Sequence, residues 1–479
     1  MKVANTKRFY LDFAIIILLM FGFGFLPAIA PITGQGMRVI GILLACIYAW
    51  TIGSSVWPSL LALLALGFLP GSTVTAVFVA AFGNQTLLMV LFCLIFCSCV
   101  EKSGLLSVVA DFILSRKFAK KGPWWLAFAF FTAACVASML CSSIAVTIFL
   151  WTIFYDVVQQ VGLAKKSPYV AMVMIGITIM AYLGNSVLPF GAFLQIGIAV
   201  MTAVNPQFVM NYLAYSALAL ALCVVMLPFL TGVFKLICPK FSYDAVTSIV
   251  KNEAIRMNMK QKLVLLSVVL VSLLMMAPSF LPKGTAVYAF ISNFGVIGGM
   301  CAASIMMMMI VIDGETIGDI VDGMRKSIPW DMYFLLAAAL SISTAVTAEG
   351  TGVGPFLKMI CAPLLADKTA FIFLAILVLV GAVVTNCLNN IVTLTLLIPV
   401  SLAFAAAYGV SGQFLVAVFA IILYQGVVLP SGSIMGAMLH GNKDWLTPGQ
   451  IYKYASIGEL VLALAMIIVG LPLGLYILF

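Results

Sequence analysis

Long apolar runs separated by short polar breaks dominate the chain. A membrane-spanning helix needs about 20 predominantly apolar residues. Reading spans between charges gives eleven candidates: 11–31, 36–54, 56–70, 85–110, 168–203, 211–234, 262–281, 285–312, 330–348, 412–439 and 451–478. Two further apolar regions, 123–160 and 369–408, have middles without charge, ASMLCSS and TNCLNN. A turn that emerges into the cytoplasm usually shows Lys or Arg. Two arms that meet inside the membrane show small polar residues lining a cavity. Both alternatives give the same topology, so charge does not separate them; the polar middles favour re-entrant hairpins. The longest polar stretch, 241–262, reads as a cytoplasmic linker. It divides an N-terminal helix (1–35) and a first repeat (36–240) from a second repeat (263–479).

Composition fixes the class. The 479 residues are 64% hydrophobic and 8% charged, where a soluble domain carries roughly 25% charged residues. The expectation is an all-α polytopic membrane protein. The segment LDFAIIILLMFGFGFLPAIA is too long for a signal-peptide core and reads as a retained first helix. The net charge of +9 would suggest a nucleic-acid partner in a soluble protein; its placement argues otherwise. With a cytoplasmic N-terminus, only Arg38, Lys283, Lys358 and Lys368 of the 24 basic residues fall outside. This positive-inside bias predicts a multi-pass cell-membrane protein with an extracytoplasmic C-terminus. Trp57, Trp124, Trp125 and Trp330 suit interfacial belts.

Eleven cysteines lie mostly in apolar runs without a CxxC pair, so they read as small buried hydrophobes. No HExxH, GxSxG, P-loop or dinucleotide fingerprint is present, and no resident cofactor is expected. An enzyme or channel is the weakest reading.

Three short matches recur in the same order at nearly constant separation: CVEKSGL around Glu101 with TAEGTGV around Glu349, CSSIAVT with LNNIVTL, and VLPFG with VLPSG. Together they indicate a duplication. Five spans separate the copies, so they enter the membrane from opposite sides, as in the inverted repeats of secondary transporters.

The repeat-related polar clusters are the candidate site. If the second arm starts near Asn389, then Asn386, Asn389, Asn390 and Thr393 share one helical face. Asn389 or Asn390 is a good N-cap, as is Ser142 or Ser143 in the first hairpin. Each half-helix start then offers free N–H groups and a positive dipole end to an anion. Single serines or threonines in membranes more often bond between packed helices. The second feature is a pair of helix breakers, AYLGNSVLPFGAFLQ and YQGVVLPSGSIMG. Proline and glycine there predict discontinuous spans. Freed carbonyls beside Gly184, Asn185, Ser431 or Gly432 could hold a small cation. Pro189 and Ser433, in the breaks, join Ser142, Ser143, Asn389, Asn390 and Thr393 as candidate substrate contacts.

At these residues the sequence resembles the divalent anion:sodium symporter family of the ion transporter superfamily, over almost the whole chain. Ser142, Ser143 and Ile144 stand at the family's Ser-Asn-Thr positions in the first tip; Asn389, Asn390 and Ile391 stand there in the second. The resemblance implies an eleven-helix homodimeric transporter with two hairpins, moving by an elevator-like rigid-body motion. It implies that the tips bind substrate carboxylates. It also implies sodium sites at Ser138, Ser142, Ser143 and Gly184, with Asn185 beside them, and at Thr385, Asn390 and Gly432. Isoleucine replaces threonine at both tips, and Gly191–Gln195 and Ser433–Gly436 replace the proline-rich stretch. These departures bear on sodium coupling and on dicarboxylate specificity.

Glu101, Asp331, Glu349 and Glu459 read as carboxylates near span ends, in interfacial or capping roles. His440 reads as a solvated or capping residue. The leading function is a secondary transporter of small organic anions. A cation/proton or inorganic oxyanion antiporter of the same superfamily is second.

Overall fold

The computed structural model describes residues 6–52, 55–205, 207–239, 257–282, 284–312, 314–326 and 328–478. The expected linker therefore lies outside the described residues as far as 256, and its last residues, from Met259, already belong to a helix.

The first half runs α1 (Thr6–Ile17), α2 (Gly34–Thr51), α3 (Val56–Gly67), α4 (Val74–Phe82), α5 (Gln85–Lys102) and α6 (Leu105–Leu114). It continues through α7 (Pro123–Leu140), α8 (Ser143–Val161), α9 (Pro168–Asn185), α10 (Ala192–Val204) and α11 (Tyr212–Ile237). The second half opens with α12 (Met259–Met276) and α13 (Ala286–Met309), then a two-residue β-hairpin pairing Val311–Ile312 with Glu315–Thr316. It goes on with α14 (Ile320–Lys326), α15 (Trp330–Thr347), α16 (Val353–Leu365), α17 (Ala370–Cys387), α18 (Asn390–Ala405), α19 (Gly412–Ile422) and α20 (Ile434–Gly441). The last element, α21 (Pro448–Ala465), runs on through Met466–Gly470 into α22 (Leu471–Ile477).

One series of elements occurs twice. A long helix meets a short one at a glycine in the left-handed region: α5 and α6 at Gly104 (φ 74°), α15 and α16 at Gly352 (φ 68°). A hairpin follows, α7/α8 or α17/α18, then a broken helix, α9/α10 or α19/α20, and then a long helix, α11 or α21. Only glycine reaches positive φ without steric cost, so Gly104 sets the turn out of α5 and Gly352 the entry into α16, five residues after α15 has ended at Thr347. Gly352 is doubly constrained, because a Cβ on it would collide with the Pro31 carbonyl oxygen. The loop before α2 is fastened at the same place: Thr33 N donates to the Thr351 carbonyl (3.0 Å) and Thr33 Oγ1 to the Gly350 carbonyl (2.8 Å).

Among the described residues, eleven helices are long and apolar enough to cross a membrane, but they are a different eleven from those read off the sequence. The hairpin arms α7, α8, α17 and α18 qualify, while the expected span 56–70 becomes the 12-residue α3. The expected span 285–312 is broken at Gly295 (φ 61°). Length does not distinguish an inclined arm from a crossing helix; what the tip touches does. At both tips polar and small side chains are buried in protein, Cys141 and Ser143 at the first, Asn386 and Asn390 at the second, while Cys387 is exposed.

The two broken helices form the centre. Every residue of α9 from Tyr169 to Gly184, and of α19 from Phe414 to Ile422, is buried. A helix that is apolar all round belongs in a protein interior, and these segments carry no polar stripe to face solvent. α9 packs against α7, α8 and α21; α19 packs against α10, α17 and α18. The α7–α9 contact is very close, because a Cβ on Gly184 would collide with the Cys135 carbonyl oxygen.

Gly352→Ala is expected to lower the thermal midpoint of the detergent-purified protein, at a cost of about 1–3 kcal/mol for a strained left-handed residue. Gly354→Ala, with nothing within 4 Å of its added Cβ, should leave it unchanged or raise it slightly. Equal midpoints for the two variants would show that the Gly352 turn is not a constraint.

Candidate functional site

The second tip is the more heavily bonded. α17 ends at Cys387, Leu388 turns with extended backbone (φ −111°, ψ 156°), and Asn389 caps α18 by accepting from Ile391 N at 3.0 Å. The chain thus turns between Asn386 and Asn389, so those residues do not share one helical face as the spacing suggested. Asn390 is the first residue of α18 and Thr393 lies in its first turn, buried, donating to the Asn389 carbonyl at 3.1 Å. Thr385 Oγ1 lies 2.9 Å from Asn390 Oδ1 and 3.1 Å from the Leu423 carbonyl, at the end of α19. Asn390 N donates to the Gly432 carbonyl (3.2 Å). The hairpin is therefore stitched to the α19–α20 break on both sides of its turn.

Asn386 turns the other way. Its Nδ2 donates to the Ala382 carbonyl (2.8 Å) and to Glu459 Oε2 (2.7 Å), while its Oδ1 accepts from Val428 N (2.9 Å). Glu459 Oε1 accepts from Val427 N at 3.2 Å. Glu459 is not a residue of a span end. It lies in the continuous helix Pro448–Ile477, and its side chain is buried. The sequence reading started that span at 451, which hid how deep the residue sits. His440, half-buried in the last turn of α20, bonds through Nε2 to the Val428 carbonyl in the α19–α20 break at 2.9 Å, so it is neither fully solvated nor a helix cap.

The first tip is simpler. α7 ends at Leu140, Cys141 is extended, and α8 starts at Ser143. Ser142 occupies the N-cap position, but its side chain makes no cap bond. Its N–H instead donates to Glu101 Oε1 at 3.0 Å. Glu101, read as a capping or interfacial residue, thus meets the hairpin tip, because α5 stops at the Gly104 turn beside it. Asn185 Nδ2 reaches the carbonyls of Ser138 (3.2 Å) and Cys141 (3.4 Å).

A hydrogen bond joins the two constellations. Tyr424 Oη donates to Asn185 Oδ1 at 2.9 Å. Asn185 belongs to the break of the first half and Tyr424 to that of the second. The Tyr424 ring is braced edge-on by Phe193 (centroids 4.3 Å apart). Gly191 lies beside this bond, where a Cβ would come 2.8 Å from the Asn185 carbonyl oxygen and 3.3 Å from Tyr424 Oη.

The carbonyls expected to be free are partly engaged. Gly184 O accepts from Val187 N (3.1 Å), and Gly432 O accepts from Asn390 N. Pro189 O accepts from Gln195 Nε2, and Ser433 Oγ accepts from Gly436 N as the cap of α20. Three buried side chains at the tips and breaks have polar atoms without a hydrogen-bond partner: Ser138 Oγ, Asn390 Nδ2, and both amide atoms of Gln425. Unmet polar atoms in an apolar interior are costly. Their presence here suits a site completed by a ligand: Ser138 Oγ is a hard oxygen donor for a small cation, and Asn390 Nδ2 is a donor for an anion. Among the described residues, no group of three or more His, Cys, Asp or Glu side chains could hold a metal ion.

Glu101, Glu459, Tyr424 and Gln425 were not picked out from sequence as members of the site. Glu101 carried a usable signal, since it stands in the first of the three repeat matches. Tyr424 and Gln425 sit in the second helix-breaker stretch, where an aromatic residue and an amide read as filling.

Two discontinuous helices at the centre of a helical membrane protein, each met by a hairpin tip, define the architecture of a secondary transporter. The family model described as citrate transporter matches residues 43–423. The chain belongs to that family. The YdaH transporter of Alcanivorax borkumensis, described as having an unusual topology, superposes with a TM-score of 0.60 at 15% identity. That match covers 92% of this chain and 98% of YdaH. MtrF of Neisseria gonorrhoeae, from a class of antimetabolite efflux pumps, gives 0.53 at 12% identity, covering 96% and 94%. At these identities the likeness shows a common fold. No curated protein matches the sequence.

Asn386→Leu should destabilise the protein by about 1.5–3 kcal/mol, because it strips one neutral donor from a buried carboxylate. Combining it with Glu459→Gln should recover part of that loss, which a double-mutant cycle of thermal unfolding in detergent would show. Strict additivity would mean that the two side chains do not interact.

Proposed function

We propose that the protein is a secondary active transporter of di- or tricarboxylate anions. Transport is sodium-coupled symport or anion exchange, and it proceeds by an elevator-type movement of the hairpins with the broken helices. The observation that carries the reading is the junction of the two tips with both helix breaks through Asn185 and Tyr424, in a chain of the citrate transporter family. The starts of α8 and α18 supply N–H groups without intrahelical partners and positive dipole ends. With Ser142, Ser143, Asn389, Asn390 and Thr393 they form an anion cradle that uses no buried Lys or Arg. Pro189 and Ser433 border it from the breaks.

Sodium ions are the coupling ions in this reading, and no resident cofactor is needed. One ion is held around Ser138, Ser142, Ser143, Gly184 and Asn185, the other around Thr385, Asn390 and Gly432. The unpartnered Ser138 hydroxyl supports the first of these. The protein works as a homodimer in the cell membrane, with its N-terminus cytoplasmic and its C-terminus extracytoplasmic. A second reading, a cation/proton or inorganic oxyanion antiporter, draws support from the carboxylates of Glu101 and Glu459 at the two tips, since acidic groups attract cations and repel organic anions.

Proteoliposomes given labelled succinate, citrate or 2-oxoglutarate should accumulate at least one of them, faster with an inward sodium gradient if sodium drives the cycle. The absence of carboxylate uptake with and without sodium would remove the leading reading. Asn390→Leu and Ser143→Leu should each abolish uptake while the protein stays folded by size-exclusion chromatography. Full uptake by both would make the tips packing residues instead of binding residues.

A further inference from the structure

We propose that the turn between α6 and α7 is a binding site for the phosphate headgroup of an anionic phospholipid. The inference goes beyond the transport reading and holds whatever the cargo is.

The stretch 116–121 carries Arg116, Lys117, Lys120 and Lys121, and no Asp or Glu stands between Asp111 and Asp156. The run therefore has no acidic counterweight in sequence, and it finds none in space. Among the described residues, Arg116, Lys117 and Lys121 make no ion pair, and all three are exposed. Like charges this close repel one another, and an anion placed among them relieves the repulsion.

The backbone holds the group in place. α6 closes at Leu114, Arg116 is extended (φ −68°, ψ 144°), and Lys117–Lys120 form a single 3₁₀ turn with Ala119 buried. The Ala119 N–H donates to the Arg116 carbonyl at 3.0 Å, and the Lys121 N–H to the Phe118 carbonyl at 3.1 Å. Side chains three apart eclipse in such a turn, so Lys117 and Lys120 project on the same side. The turn opens directly into α7, whose 18 residues run from Pro123 to the first hairpin tip. That is a rise of about 27 Å. With the tip set inside the protein, the start of α7 is the end that meets the membrane surface.

Aromatic rings flank the charges. The Arg116 guanidinium lies 3.8 Å from the centre of the Phe112 ring, and the Lys121 ammonium 5.8 Å from that of Trp125. Phe112 and Trp125 are each 49% exposed. Trp125 is braced edge-on by Phe118 and Phe128, with centroids 6.5 and 6.1 Å away. Tryptophan rings settle at headgroup depth, and a guanidinium presents paired N–H groups to phosphate oxygens. A soluble anion gains nothing from exposed rings beside its charge. A phospholipid uses both, with its phosphate on the cations and the top of its acyl chains over the rings. The flanking rings therefore select a lipid over free phosphate.

The equivalent turn of the second half, between α16 and α17, carries Asp367 and Lys368, whose charges cancel. Entry into a hairpin thus needs no basic cluster of its own. Charges that only orient the chain in the membrane have no use for a guanidinium laid on an exposed ring. A headgroup held at 116–121 pins the outer end of α7, the arm that leads to the Ser142 tip, at the bilayer surface.

The test uses the full chain in phosphatidylcholine vesicles doped with either brominated phosphatidylglycerol or brominated phosphatidylcholine. Bromine quenches tryptophan fluorescence on contact, and subtracting the signal of Trp125→Phe isolates Trp125. In the wild type, the brominated phosphatidylglycerol should quench Trp125 at the lower mole fraction. Each cation near an anionic surface contributes about fivefold in affinity. Arg116→Gln should accordingly cut the preference about fivefold, and the triple variant Arg116→Gln/Lys117→Gln/Lys121→Gln should abolish it. Lys368→Gln, in the other turn, should leave it unchanged. Equal quenching by the two lipids in the wild type would overturn the proposal, as would an undiminished preference in the triple variant. If that variant misfolds or inserts inverted, the wild type in about 1 M salt, where screening acts within about 3 Å, has the same force: the preference should vanish, and its persistence rejects the site. Glycerol 1-phosphate, the soluble headgroup, should not restore the fluorescence; full recovery would reassign the turn to free phosphate and overturn the lipid site.

Discussion

A backbone that stops being helical inside a membrane must find partners for its N–H and C=O groups without water. In this protein that requirement is met at two hairpin tips and two helix breaks, and each of these is met by the others. The Asn185 amide serves the carbonyls of the first tip and accepts from Tyr424. Thr385 and Asn390 of the second tip bond at Leu423 and Gly432 in the second break. A break without a tip beside it, or a tip without a break, would leave polar backbone in an apolar interior. The four irregular segments are therefore a single structural solution.

The surrounding fold follows from where these segments lie. The segments leading into the breaks, α9 and α19, are buried on every face and need no polar residues until they stop being helical. The helices around them carry the lipid-facing surface, as the exposed Leu266, Leu270 and Leu273 of α12 show. The glycine turns at Gly104 and Gly352 redirect the chain from α5 into α6 and from the end of α15 into α16. At the first of them, this places the carboxylate of Glu101 against the Ser142 N–H.

Much of this was legible in the sequence because it appears there twice. Cys141-Ser-Ser and Leu388-Asn-Asn recur at matching positions, as do VLPFG and VLPSG, and the structure gives each pair the same kind of element. The hairpin turn at Leu388 was harder to place. An i, i+3, i+4 spacing is equally available to one helix or to residues on two sides of a tight turn, so Asn386 was grouped with Asn389. Glu459 was missed for a different reason. Depth along a helix depends on where the helix begins, and Pro448 starts α21 earlier than the charge-bounded span suggested. Tyr424 left no mark, because a tyrosine in an apolar run has the same pattern whether its hydroxyl is idle or bridges two halves of the chain.

The glycine at position 184 has a mechanical consequence. With the α7 and α9 backbones touching there, the helices have no side-chain layer between them across which to slide. Any displacement of the first hairpin has to carry α9 with it as one body. Conformational freedom is then left to the joints that flank this body, 115–122 before α7 and 186–191 after α9; in the first of them Gly122 (φ 152°) already adopts an angle closed to most other residues.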